Sequence, residues 1–298
     1  MDILARCNLC PRGCLVDRQL KTGFCKAPKN PKVARAALHY WEEPCISGNR
    51  GSGTVFFSGC NLKCVYCQNY DISEKGFGKE ITVSRLSEIF LELQQKGAHN
   101  INLVSPTPYV PQIIEAVDMV RGEIKIPFVY NTGGYESLKT LDMLKDYIDI
   151  FLTDIKYKEG KLAAKYSHAE DYFEVALSAA QKMIDMKGLP RFDKDGIMKS
   201  GVIVRHLVLP GYRKDSIDVL NAISQKLPEG GFLISLMSQY TPDPQLLKNY
   251  PKLCRKVTTF EYKSVVDEAI RLEITKGYMQ QKSSAEQKYT PPFDLSGV

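Results

Sequence analysis

The sequence predicts an α/β protein on a parallel sheet, and within that class a partial (β/α)6 TIM-type barrel with an N-terminal cysteine-rich knuckle. Three observations lead there. Unbroken apolar runs recur six times, each followed by a polar or Gly/Pro turn and then by apolar residues at helical spacing. Strands apolar on both faces belong to parallel sheets covered by helices, and six units stop short of the eight of a closed barrel. Polar clusters also fall at the ends of the runs, where parallel α/β proteins collect their functional groups.

Residues 53–57 (GTVFF) are the first predicted strand, rich in β-branched and aromatic residues. Residues 83–96 predict a helix, opened by Thr82 or Ser84 with Glu88 behind and stopped at Gly97. A strand over 100–104 ends in Ser105-Pro106-Thr107-Pro108, and a helix over 110–120 follows. The strand over 126–130 ends in Asn131-Thr132-Gly133-Gly134 and leads into a helix over 136–146. Residues 147–153 are a strand ending in Asp154-Ile155-Lys156, followed by a helix over 175–186. Residues 202–209 (VIVRHLVL) are a strand closed by Pro210-Gly211, with a helix over 217–226. The sixth strand, 232–237, ends in Ser238-Gln239-Tyr240, and a last amphipathic helix lies within 257–276.

Three regions follow from this reading: a cysteine-rich metal-binding segment and linker over 1–50, the core over 51–280, and a polar tail over 281–298, expected to be extended or poorly ordered. Within the first, residues 32–53 read as a linker, with three glycines in its last six residues. Trp41 and His39 are expected there as packing residues. At 298 residues, 44% hydrophobic and 25% charged, the chain has an ordinary globular composition. No stretch approaches the about 18 apolar residues of a membrane span, and the N-terminus lacks a signal-peptide apolar region, so a cytoplasmic location without membrane contact is expected. The net charge of +6 comes from scattered lysines and no nucleic-acid motif is present; a mild positive surface suits docking to an acidic partner.

Nine cysteines in such a protein speak for metal rather than disulfides. Cys60, Cys64 and Cys67, spaced Cys-x3-Cys-x2-Cys, follow the first strand directly. Three thiolates satisfy three irons of a cubane [4Fe–4S] cluster and leave the fourth iron open, as a catalytic metal site requires. Packing alone gives no reason for that spacing at a strand exit. A second group, Cys7, Cys10, Cys14 and Cys25, lies within nineteen residues. Its Gly and Pro turns let the sulfurs converge on one metal, either structural zinc or an auxiliary Fe–S cluster. Cys45 and Cys254 stand alone and are expected as small buried residues.

The stretch from Ser58 to Asn69, with Tyr66 just before the last cysteine, resembles the signature of radical S-adenosylmethionine (SAM) enzymes. Over its whole length the chain resembles radical SAM proteins related to pyruvate formate-lyase activating enzyme. The segments carrying this are Cys7-x2-Cys10-Pro-Arg-x-Cys14, Glu42-Glu43-Pro44-x-Ile-Ser-Gly48, residues 51–60, 97–104, 130–137, Arg205 through Gly211 and Leu236 through Tyr240. The Asp154-x-Lys156 pair, two apart on a strand and so facing one side, is similar to a motif of glycyl-radical-enzyme activases that contacts SAM and a nearby monovalent cation. Asn131-Thr132-Gly133-Gly134 is similar to their preceding turn, with Asn131 in place of an Asp, and Arg205 heads a segment like their Arg-x4-Pro-Gly. Ser105-Pro106-Thr107-Pro108 stands where many relatives have Gly-Gly-Glu, and no ferredoxin insert follows the cysteine motif.

The resemblance implies the partial barrel of radical SAM enzymes, a [4Fe–4S] cluster on Cys60, Cys64 and Cys67, and SAM as cofactor. SAM would be cleaved reductively to methionine and a 5′-deoxyadenosyl radical that takes hydrogen from a substrate. The SAM shell would be Tyr66, Gln68, Ser105, Thr107, Asn131, Thr132, Asp154, Lys156, Arg205 and Gln239, and no side chain is singled out as an acid, base or nucleophile. An electron donor such as flavodoxin or ferredoxin is implied as a partner. The substrate would be a glycyl radical protein, with a small metabolite or another peptide as the alternative. A non-catalytic Fe–S or zinc protein is the competing class.

Overall fold

The computed structural model describes residues 3–280 and 290–298. Its scaffold is one mixed sheet. The chain first forms β1 (Lys32–His39), a single helical turn α1 (Pro44–Ser47) and β2 (Ser52–Phe57), then the short α2 (Tyr70–Ser73) and β3 (Lys79–Glu80). Regular alternation follows: α3 (Val83–Gln95), β4 (Ile101–Val104), α4 (Val110–Val120), β5 (Phe128–Thr132), α5 (Leu138–Met143) and β6 (Ile150–Asp154). Two helices, α6 (Gly160–Ser167) and α7 (Tyr172–Lys187), precede β7 (Arg191–Phe192) and β8 (Met198–Leu207). The chain continues through α8 (Arg213–Lys226), β9 (Leu233–Met237), α9 (Thr259–Arg271) and β10 (Gly277–Met279).

The strand order is β10-β9-β8-β6-β5-β4-β2-β1-β3, with β7 attached to β8. All neighbours from β2 to β10 along this path are parallel, whereas β1 is antiparallel to both β2 and β3. Each parallel strand therefore lies beside its predecessor. Right-handed crossovers in one direction put every covering helix on the same face, and the sheet curls with its other face inward as an open, partial barrel. The six predicted strands are all present, each within a few residues of its expected place.

Side-chain alternation sorts the two faces. Val55, Phe57, Leu103, Phe128, Tyr130, Phe151, Val202, Val204, Ile234 and Leu236 point outward and pack with Leu86, Phe90, Ile113, Phe173, Ile184 and Leu220 of the helices. Burying each such side chain is worth ~1.5–3 kcal/mol. Helix starts follow the sequence signals. Thr82 Oγ1 accepts from Arg85 N at 3.1 Å to cap α3, and Thr258 with Glu261 forms a capping box on α9. Glu261 also accepts from Gly211 N at 2.7 Å, which ties the Pro-Gly turn after β8 to that helix.

Two segments and one cysteine depart from the sequence reading. Residues 32–53 are no linker: β1 joins the sheet, and α1 lies across the inner face, where Cys45 and Ile46 pack on Val129, Ile150, Leu152 and Ile203. The glycines there let the chain lie close against its neighbours; a Cβ on Gly53 would meet Asn100 O at 3.0 Å. In the tail, 281–289 lies outside the described residues, but 290–298 is docked, not loose. Leu295 N donates to Ala34 O at 3.0 Å, Ala36 N to Ser296 O at 2.8 Å, and Phe293 packs edge-on against Phe56. A turn-containing segment satisfies two groups on the open backbone edge of β1 in this way. Cys254 is exposed rather than buried, while Cys45 is buried as expected.

Candidate active site

The parallel strands end on one rim, and there a cavity of about 210 Å³ opens into the barrel. Inward residues of six strands line it: Phe56, Val104, Asn131, Asp154, Arg205, Leu207 and Met237. The loop leaving β2 completes the wall with Cys64, Tyr66, Cys67 and Gln68.

Several contacts hold that loop. Gly59 has φ +98°, and a Cβ on it would stand 2.7 Å from Cys25 O, so only glycine lets the knuckle pack on the strand exit. Asn61 Nδ2 donates to Tyr135 O at 2.6 Å, and Val65 N donates to Tyr166 O at 2.9 Å. Arg12 reaches from the knuckle to Asn61 O at 2.8 Å and Ser167 O at 3.2 Å, with its guanidinium 4.1 Å from the Phe24 ring centre.

The three loop thiols form one electrostatic group. Burial, with Cys67 and Cys60 adding to it and Lys156 opposing, raises the Cys64 thiol to about 12. Burial also raises Cys67, against a hydrogen bond with Ser73. A donor set of three thiols with no carboxylate or imidazole among them suits iron–sulfur chemistry, so the residues fit a cluster at this loop. Among the described residues no three His, Cys, Asp or Glu side chains gather as one bare metal ion requires. The knuckle holds the second group of thiols. Burial, with Cys25 and Cys14 adding to it, raises the Cys10 thiol to about 12, so these thiols are neighbours. The turn hydrogen bonds Cys7 N to Val16 O and Leu15 N to Cys7 O, both 2.9 Å, close the loop that carries Cys10 and Cys14.

Facing the cysteine loop is a lattice of charges. Arg205 Nε donates to Asp154 Oδ1 at 3.0 Å, NH2 to Asn131 Oδ1 at 2.6 Å and NH1 to Glu42 Oε2 at 3.3 Å. Glu42 Oε1 also accepts from Asn102 at 3.0 Å and Asn131 at 3.2 Å. Lys156 pairs with Asp154. Burial would raise the Asp154 carboxyl, but Lys156 and Arg205 outweigh it and hold the group below its usual range. Burial would lower Lys156, yet Asp154 and Cys64 hold it above the ordinary lysine value. Beside them Glu43 is buried, which raises its carboxyl, and its Oε2 has no hydrogen-bond partner among the described residues.

Of the ten expected binding residues, Tyr66, Gln68, Asn131, Asp154, Lys156, Arg205 and Gln239 line the cavity. Ser105, Thr107 and Thr132 do not. Asn131 faces inward, so Thr132, next along the strand, faces the helices. There its hydroxyl and that of Thr107, the latter at 2.6 Å, hold the buried Glu136 carboxylate. Ser105 sits at the turn in a left-handed conformation, φ +56°, its N donating to Asn131 O at 3.0 Å. Sequence reasoning missed Glu42, Asn102, His39 and Trp41. Trp41, expected in packing, is 51% exposed at the cavity mouth. The signal for Glu42 was the inward Arg205, which demanded a second anion; Glu42 itself lay in the supposed linker.

Replacing Arg205 by Met should cost about 3–5 kcal/mol in chemical denaturation, because Asp154 and Glu42 stay buried without their cation. That deficit should shrink as pH falls and Asp154, which Arg205 helps to hold below its usual range, takes up a proton. A second outcome concerns Glu136, raised from 4.5 to about 7 by burial against its three hydroxyl donors. A raised acid binds its proton more tightly in the folded chain, so stability is greatest below pH 4.5 and declines as pH rises to about 7. At about 1.36 kcal/mol per pH unit the decline is ~3 kcal/mol. Glu136→Gln should flatten that slope in melting temperatures measured across the window.

A family model described as the Radical SAM superfamily matches residues 54–223, more than half of the chain. The chain is 29% identical over 276 residues to the uncharacterized protein MJ0674 of Methanocaldococcus jannaschii, covering 89% of this chain and 75% of that one. It is 24% identical over 263 residues to MJ0808 of the same organism, covering 82% and 73%. Among solved structures, Streptococcus suis SuiB bound to the precursor peptide SuiA aligns with TM-score 0.50 at 13% identity, over 75% of this chain and 47% of that one. The FeFe-hydrogenase maturase HydG from Carboxydothermus hydrogenoformans aligns with TM-score 0.52 at 14% identity, over 80% of this chain and 56% of that one. The chain spans about half the length of these two structures, and the likeness to them is one of fold. With the family model running from β2 into α8 and the three-cysteine loop opening on the barrel rim, the chain belongs to the radical SAM superfamily.

Proposed function

We propose that this radical SAM enzyme abstracts hydrogen from a polypeptide, the loop of a glycyl radical protein. The carrying observation is that Cys64, Tyr66, Cys67 and Gln68 of one loop share a cavity with Asn131, Asp154, Lys156 and Arg205 of three strand ends. A [4Fe–4S] cluster and SAM, when bound, supply reductive cleavage of the sulfonium to methionine and a 5′-deoxyadenosyl radical. Cys60, Cys64 and Cys67 would hold the cluster. Asp154 and Glu42 offer carboxylates to an ammonium group, Arg205 and Lys156 offer cations to a carboxylate, and Tyr66 offers a ring face to the adenine. Phe56, Val104, Leu207 and Met237 give the cavity apolar walls that exclude water around a reactive intermediate. An electron carrier such as flavodoxin or ferredoxin is the partner this chemistry calls for.

A polypeptide substrate is supported by a second hollow of about 460 Å³, which adjoins the first through Tyr66, Cys67, Gln68 and Thr290 and runs out along Thr241, Asp243 and Gln245. A small metabolite is the second reading, favoured by Thr290 and Pro291, which narrow the cavity from the side. The knuckle cysteines 7, 10, 14 and 25 are read as a second metal site, zinc or an auxiliary cluster, packed against the catalytic loop through Arg12.

Anaerobic reconstitution with iron, sulfide, dithionite and SAM should release 5′-deoxyadenosine, and Cys64→Ala should release none. With a glycyl radical protein present, a doublet radical signal should appear in step with the nucleoside. A reconstituted protein that neither forms 5′-deoxyadenosine nor changes its electron paramagnetic resonance on SAM addition would instead be a non-catalytic metal protein. Metal analysis of the Cys60/Cys64/Cys67 triple alanine variant should still find zinc or iron, and its absence would remove the knuckle site.

A further inference from the structure

Behind the cysteine loop runs a chain of buried hydroxyls that the binding of SAM does not use. Tyr66 OH lies 2.5 Å from Tyr157 OH, Tyr157 OH lies 2.8 Å from Ser167 Oγ, and Ser167 Oγ lies 2.9 Å from Cys64 Sγ. Ser167 is 0%, Tyr157 1% and Cys64 9% exposed, so water does not compete for the two bonds that run from Tyr157 to the sulfur. Ser167 is the last residue of α6, and its hydroxyl goes to Cys64 and Tyr157 rather than to a carbonyl of its own helix, the usual partner of a helical serine. The helix end is fastened on both sides. Tyr166 O accepts from Val65 N at 2.9 Å, and Ser167 O accepts from Arg12 NH2 at 3.2 Å. The hydroxyl is thus held against the sulfur by contacts that do not involve it.

We propose that Ser167 sets the reduction potential of the cluster on Cys64, as the last donor in a one-way hydrogen-bond chain from Tyr66 through Tyr157. The proposal rests on reading Cys60, Cys64 and Cys67 as cluster ligands. A ligating cysteine is a thiolate and has no proton to give, so Ser167 must donate to it. Each hydroxyl carries a single proton. Ser167, having spent its own on sulfur, must accept from Tyr157, and Tyr157 must accept from Tyr66. The direction of all three bonds follows from that one constraint.

When one electron enters from an external reductant, no bond of the chain breaks and no proton moves. The added negative charge is shared with the ligating sulfurs, and a donor aimed at one of them favours the reduced state over the oxidised one. In a dry, low-dielectric setting each hydroxyl polarises the next, so the chain strengthens its final bond. Ser167 is a positioning residue: it touches a ligand of the cluster and no reacting atom of the substrate. The chain begins at Tyr66, which lines the SAM cavity, so the potential is wired to the wall against which the cofactor rests.

The test is an anaerobic redox titration of the reconstituted protein and of Ser167→Ala, Ser167→Thr and Tyr157→Phe, with electron paramagnetic resonance counting the reduced cluster. Iron per chain should be equal in all four. In Ser167→Ala the ratio of reduced to oxidised cluster at the parent's midpoint should fall about tenfold, a shift of ~59 mV for one electron. Tyr157→Phe should shift the same way by less, since Ser167 still reaches Cys64, and Ser167→Thr should return the midpoint to that of the parent. Unchanged midpoints in Ser167→Ala and Tyr157→Phe at full iron content would overturn the proposal. Loss of iron from both variants would also overturn it, because the hydroxyls would then be holding the loop together. A parent protein that takes up no iron defeats the cluster reading and the proposal with it, and iron analysis before titration tells that failure from the others.

Discussion

A guanidinium that cannot shed its charge projects from the middle of the sheet into its inner face, and the rim is built to meet it. Arg205 sits on β8 with Asp154 beside it on β6, Asn131 on β5 beyond, and Glu42 brought in from outside the parallel set. Desolvating such a charge costs several kcal/mol unless good geometry offsets it. Here each of the three guanidinium nitrogens finds an acceptor. The planar fork of arginine is what lets one side chain bridge three elements; a lysine in its place would be a point charge without that reach in direction.

The position of Glu42 depends on how the first fifty residues are threaded. β1 runs antiparallel along β2, and the chain then turns under the sheet's inner face so that α1 fills the barrel from within. Asn100 Nδ2 holds that turn through Ile46 O at 2.8 Å, and Ser52 Oγ bonds Asn100 Oδ1 at 2.5 Å. The plug has two effects at once. It supplies the apolar contents an open barrel would otherwise lack, and it delivers a carboxylate to the rim. On the far side of the rim the knuckle, fastened by Arg12, holds the cysteine loop against α6.

The six parallel strands were legible because apolar residues dominate both of their faces, a pattern no exposed element carries. Asp154 and Lys156 were legible as a pair because a two-residue step on a strand returns to the same side. The same rule, applied one residue further along β5, separates Asn131 from Thr132, but that required knowing which of the two faced inward. Glu42 was hidden by its surroundings, since Gly48, Gly51 and Gly53 make a packed plug look like a linker. Ser167 carried no signal at all. A serine near a helix end resembles many others, and its closeness to Cys64 spans 103 residues of sequence. The docking of Phe293 and Leu295 on β1 was equally silent, because a short polar segment becomes ordered only when an edge with open backbone groups is there to receive it.

The rim lattice also constrains how this sequence can change over generations. Its side chains carry two carboxylates, Glu42 and Asp154, and two cations, Lys156 and Arg205, that neutralise one another at the largely desolvated rim. A lineage that loses one member passes through a form with an uncompensated buried charge, less stable by about 3–5 kcal/mol, which is a large share of a domain's total stability. Single steps away from the lattice are therefore barred, while exchanges that trade partners together remain open. Descendants of an ancestral chain should either keep all four positions or replace them in matched sets, so covariation among positions 42, 154, 156 and 205 is the historical trace this electrostatic arrangement leaves.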